Sequence, residues 1–129
     1  MRVTHHLAVL AAATVLIAAC SDGAQRSESA YCGQITQYQT QLNSPVISTP
    51  TDIGLVLAAW RSVAQSAPVA IEPEWSTMVD MMETAVTVDP DDPESMQLVA
   101  DTARASEPAA ERVVSYTQER CGLTIGIAP

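Results

Sequence analysis

The sequence predicts an all-α fold, a small antiparallel bundle of four to five helices. Three observations carry that expectation. From Tyr31 onward, apolar residues recur at helical spacing in one segment after another. Short runs rich in Pro, Asp, Ser and Thr cut the pattern, and they place capping residues where each helix would start. No stretch alternates with period two for long except Leu123-Thr124-Ile125-Gly126-Ile127, which is expected to lie extended over the bundle. A chain of 129 residues suits one domain, and connections of a few residues make neighbouring helices antiparallel.

The first helix is expected from Tyr31, where Tyr31, Ile35, Tyr38 and Leu42 share a face with Cys32 beside them. Asn43 to Pro50 reads as a loop. Thr49-Pro50-Thr51-Asp52 then supplies an N-cap, a proline at the first helical position and an acid three residues after the cap. Ile53, Val56, Leu57, Trp60, Val63 and Ala64 form the stripe of the helix that follows, which Pro68 closes. Glu72-Pro73-Glu74 opens a third helix with Trp75, Met78, Val79, Met82 and Val86 at the same spacing. After the turn at Asp89–Glu94, Asp92 can cap and Pro93 can occupy the first position of a weaker helix marked by Met96, Val99, Ala100 and Ala103. Ser106-Glu107-Pro108 is expected to break or kink it. A last helix carries Ala110, Val113, Val114, Thr117 and Cys121 inward and ends at Gly122.

Residues 1–19 read as a signal peptide. Arg2 supplies the positive end, and Leu7 to Ala19 is apolar and uncharged but shorter than the roughly 20 residues that span a bilayer. The run ends in Leu16-Ile17-Ala18-Ala19-Cys20, which resembles the lipobox of bacterial lipoproteins. The resemblance implies export, diacylglyceryl transfer to the Cys20 sulfur, cleavage before Cys20, and anchoring to the outer face of the cell membrane. Two acyl chains hold stably where one is marginal. Residues 20–30 are small and polar, as a flexible tether between lipid and domain would be, and residues 31–129 form the helical domain. A weaker similarity, in the early cysteine, a central Pro-Trp segment and the terminal Glu119-Arg120-Cys121-Gly122-Leu123, is to small uncharacterised exported helical lipoproteins of high-GC Gram-positive bacteria. It implies no activity.

With Cys20 lipidated, Cys32 and Cys121 remain as an even pair in an exported chain, which favours a disulfide stapling the first helix to the last. In the chain-entropy treatment, closing so long a loop stabilises by about 4–5 kcal/mol. A redox or metal role finds no Cys-x-x-Cys, and loss of residues 1–19 takes Arg2, His5 and His6 with it.

Charge and composition exclude several classes. The formal charge is −9, from 15 acidic and 6 basic side chains, and every basic residue is arginine. Nucleic acid and polybasic membrane binding both need a basic surface that is missing. Asp89, Asp91, Asp92 and Glu94 do not follow the calcium-loop spacing, which would require glycine at 94 and glutamate at 100, and capping explains them. Met78, Met81 and Met82 are expected in the core rather than on a soft metal. Gln34, Gln37 and Gln41 line an uncharged polar face, expected to be an ordinary solvated face, with a protein-contact surface as the alternative.

The residues therefore point to a lipid-anchored extracytoplasmic binding or scaffold module without cofactor or metal, held to the membrane at Cys20 and partnered by another envelope protein. A carrier of a small apolar ligand, with Trp60, Trp75 and Met82 lining a cavity, is the alternative. A carboxylate hydrolase of wall glycan stands behind both, because a serine nucleophile would lack a His or Lys base and no carboxylate pair is singled out.

Overall fold

The computed structural model describes residues 26–126. The signal peptide, Cys20 and most of the tether lie outside the described residues. Five helices follow in order: α1 Glu28–Gln37, α2 Gln39–Asn43, α3 Pro50–Ser66, α4 Glu72–Val86 and α5 Pro93–Cys121. No strand occurs among the described residues. α1 and α2 form one interrupted arm, so the architecture is an antiparallel four-helix arrangement, with α4 packed on α3 and α5 and with α1 bridging α3 and α5.

The helix starts follow their chemistry. Thr49 accepts from the Asp52 N–H while the Asp52 carboxylate accepts from the Thr49 N–H, a complete capping box, and Pro50 lies directly after the cap. Asp92 accepts from the Glu94 N–H ahead of α5. Gly122 ends α5 in the left-handed region at φ 65°, and its N–H donates to the Gln118 carbonyl. Glycine takes that conformation without the strain a Cβ would bring.

Three expectations are corrected. The first helix begins at Glu28, capped by Ser27, three residues before Tyr31. That arm is also interrupted at Tyr38, which leaves the helical region at φ −105°, ψ 18°. Pro108 does not end a helix: the fourth and last helices are one continuous α5. Proline there removes one N–H and the bond it would make, but Pro108 is exposed, Ser106 and Ala110 on either side of it are buried, and Arg112 one turn on pairs with Glu74 of α4.

The core is densest where α1, α3, α4 and the C-terminal half of α5 meet. Tyr31, Ile35, Val63, Ile71, Trp75 and Val113 are all fully buried there. Cys32 and Cys121 form the expected disulfide, with their Cα atoms 5.4 Å apart. The tail after Gly122 buries Ile125, and Asn43 holds it by accepting from the Gly126 N–H at 2.6 Å. Among the described residues no helix is long and apolar enough to cross a membrane.

Candidate functional site

The two ends of the bundle are built differently. At the end holding the α1 N-terminus, the disulfide sits beside a buried relay. Trp75 Nε1–H donates to the Tyr31 hydroxyl at 3.1 Å. The Tyr31 hydroxyl lies 2.6 Å from Thr117 Oγ1, which in turn donates to the Val113 carbonyl at 2.7 Å. Because Thr117 spends its proton on Val113, the Tyr31 O–H is the donor between the two hydroxyls. Each polar group in the relay is thus satisfied, and α1, α4 and α5 are joined through it. Burial pushes the Tyr31 phenol above its usual 10.0, although the bonds with Thr117 and Trp75 pull the other way.

At the opposite end the helices do not close. α2 packs principally on α1 and α3, not on α5. Between this short helix and the α4–α5 pair lies a cleft of about 340 Å³. Trp60 and Val56 of α3, Met78, Met81 and Met82 of α4, and Ala103 and Ala110 of α5 form its apolar walls, with Ile47 of the α2–α3 loop at its side. Its polar members include Gln41, Asn43 and Glu107. The volume falls in the range of small-ligand sites, and the lining matches their apolar character.

The structure brings Trp60 and Met82 together on this cleft as expected of a cavity, but it removes Trp75 from it. Trp75 is wholly buried and meets Trp60 edge to face from within the core, at a centroid distance of 6.2 Å. The T-shaped contact stacks one indole behind the other, so only the outer indole reaches the cleft wall. Trp60 Nε1 is buried and has no hydrogen-bond partner. An unpaired buried N–H costs about 1–3 kcal/mol.

Every arginine among the described residues is already in an ion pair: Arg26 with Glu72, Arg61 with Glu83, Arg104 with Asp101, Arg112 with Glu74 and Arg120 with Glu28. A second, shallower groove between α3 and α4 is lined by Arg26 and Arg61, whose charges are thereby spent on Glu72 and Glu83. None of these arginines lines the cleft, whereas Glu107 does and has no ion-pair partner among the described residues. The described residues contain no cluster of three or more His, Cys, Asp or Glu placed to hold a metal ion. Asp89 and Asp92 instead accept from the N–H groups of Asp91 and Glu94, the local capping expected of that turn.

Sequence reasoning did not locate the Tyr31–Thr117 relay or the Glu107 wall. Tyr31 and Thr117 both stood on inward stripes, but only their juxtaposition shows that each hydroxyl has a partner. The expected helix break at Pro108 hides the helical neighbours of Glu107. Compared with protein-family models, with curated proteins and with solved structures, the chain matches none.

Proposed function

We propose that this chain is a lipid-anchored extracytoplasmic binding module that holds another envelope protein at the open end of its bundle. The observation that carries the reading is the asymmetry of the bundle. One end is stapled by Cys32–Cys121 beside the hydrogen-bonded Trp75–Tyr31–Thr117 relay, and among the described residues the other end presents an open apolar cleft. A rigid base with an open, apolar far end suits presentation of a binding surface better than self-contained chemistry.

The lipobox reading agrees with that geometry. A tether from Cys20 would enter at the α1 N-terminus, where Ser27 caps the helix. The cleft lies at the far end of the α1–α2 arm, beside Asn43. Anchored this way, the cleft lies at the end of the bundle opposite the tether's attachment. The tether reaches at most about 25 Å when extended, so the module stays near the surface while the cleft stays open to neighbours.

The experiment is site-specific photo-crosslinking in the native envelope. A crosslinking residue at Met82 should give a discrete protein-sized adduct, one at Gln65 on the α3–α4 groove should not, and Ala103→Trp should remove the Met82 adduct by filling the cleft. Equal adducts at both positions, or none at Met82, would overturn the reading. Cys20→Ala should release the protein from the membrane fraction; continued membrane partitioning would refute the anchor. A second reading, carriage of a small apolar ligand, is favoured by the cleft volume and its apolar lining. It predicts a retained mass of a few hundred daltons in a native mass spectrum of gently extracted protein.

A further inference from the structure

α5 carries a seam longer than what covers it. Met96, Ala100, Ala103, Glu107, Ala110, Val114, Thr117 and Cys121 are spaced alternately by three and four residues, the repeat that keeps one helix face toward a partner. Toward the C-terminus the seam is occupied. Ala110 and Thr117 are buried, Val114 packs on the core, and Cys121 is bonded to Cys32 of α1. Toward the N-terminus no described helix covers it, because the α1–α2 arm stops at Asn43 and the chain turns away through Ser44–Thr49. Met96 is 49% exposed there, and Ala100 and Glu107 are exposed as well. The unpaired stretch continues the interface that α1 already makes, and the apolar cleft forms its floor.

Charge selects what can fill it. Between Thr84 and Ala103 the chain carries Asp89, Asp91, Asp92, Glu94 and Asp101 and no basic residue. Only Asp101 in this stretch has a cation, supplied by Arg104. Glu107 puts a further unpaired carboxylate in the seam itself. A second copy of this chain would bring another −9 against these acids with its described arginines already engaged. An anionic amphiphile meets the same field. A helix that is apolar on one face and carries Lys or Arg beside it meets both demands.

We propose that the open end of the bundle is a docking groove for a basic amphipathic helix of a partner protein. The helix lies in line with α1–α2, sets its apolar side chains on Met81, Met82 and Ala103, and places a Lys or Arg at Glu107. The small side chains of Ala100, Ala103 and Ala110 admit knobs from the incoming helix. This inference rests on the binding-module reading and specifies its partner.

The test titrates the purified full chain with two synthetic helical peptides that share leucines at a and d and differ only in flanking Lys or Glu. The Lys peptide should bind, shift the methyl resonances of Met81, Met82 and Met96, and lose affinity as salt rises. The Glu peptide should not bind. Glu107→Lys, an exposed change, should weaken the Lys peptide about three- to tenfold. Ala103→Trp should abolish binding while the thermal transition remains cooperative. Equal binding of the two peptides, or binding indifferent to Glu107→Lys, would overturn the proposal. So would saturation of the Met82 methyl by dodecanol with no peptide binding, which would assign the cleft to a small apolar ligand. If Met82 crosslinks a partner through a segment that is not a basic helix, this proposal fails and the binding-module reading survives. If Met82 captures no protein, the wider reading fails even where the Lys peptide binds.

Discussion

Tyr31 does two jobs that separate cleanly by substitution. Its ring fills the core against Trp75 and Tyr116 at centroid distances of 6.3 and 6.0 Å, and its hydroxyl takes the Trp75 N–H. Tyr31→Phe keeps the ring and leaves the buried Trp75 N–H without an acceptor, so stability should fall by about 1–3 kcal/mol in chemical denaturation. Burial of that hydroxyl also predicts an alkaline limit. Because burial raises the folded-state pKa above 10.0, the contribution is complete below pH 10.0 and is lost as pH rises through the raised value. Denaturation midpoints measured between neutral and alkaline pH should fall in the wild type and flatten over that window in Tyr31→Phe. Asp52 has the opposite sign. The Ser48 N–H, the Thr49 hydroxyl and the Thr49 N–H hold its carboxyl below 3.8, so the carboxylate's share of the α3 cap is complete above that pH and is lost as pH falls through the lowered value, while the Asp52 N–H bond to Thr49 remains.

At the scale of the helix, the termini were legible in the sequence and the interruptions were not. Thr49-Pro50-Thr51-Asp52 and Asp92-Pro93 announce starts through local bonding alone, and Gly122 announces a stop through a backbone conformation few other residues accept. These signals need no tertiary contact. Pro108 and Tyr38 are different. Whether a proline ends a helix depends on what the turns around it meet, and α4 faces Ala103 and Ser106 through Met81 and Met82 before Pro108 and pairs Glu74 with Arg112 after it. Nothing local to Tyr38 marks a break, since Ile35 and Leu42 keep the periodic pattern on either side and both are buried. For the site, Trp60 and Met82 were readable as apolar-stripe residues, but the cleft between them depends on where the α2 arm ends. Two substitutions measure these elements. Thr49→Ala should cost about 1 kcal/mol through the lost cap. Pro108→Ala should stabilise the protein, by up to about 3 kcal/mol, because it restores an N–H in the middle of an exposed helical face. A loss of stability instead would show that the helix geometry at Pro108 is needed by the α4–α5 packing.

Across the whole molecule, stability and openness are set at opposite ends. The Cys32–Cys121 bond, the relay and the densest core lie together, so an incoming helix at the far end need not disturb them. The cost of that division is apolar surface left in water: Met96 at 49%, Leu98 at 60% and Ile47 at 53% exposed. Reducing the disulfide should therefore lower stability by about 4–5 kcal/mol in the chain-entropy treatment while leaving the cleft chemistry unchanged. The decisive substitution is Ala103→Leu. A leucine side chain adds apolar groups to a wall that already has Met82 and Ile47 nearby, and each buried methylene stabilises by about 0.8 kcal/mol. In an open cleft the free chain should become more stable, by about 1–2 kcal/mol, with no strain to offset the gain. The same leucine occupies the space an incoming knob requires, so binding at Met82 should weaken as stability rises. That opposition separates a functional opening from imperfect packing, in which filling the space would stabilise the chain and cost no binding. Thermal unfolding and Met82 crosslinking on the same variant measure both sides. Should Ala103→Leu destabilise the chain, the cleft is already filled or closed in solution, and the open end cannot serve as the binding surface.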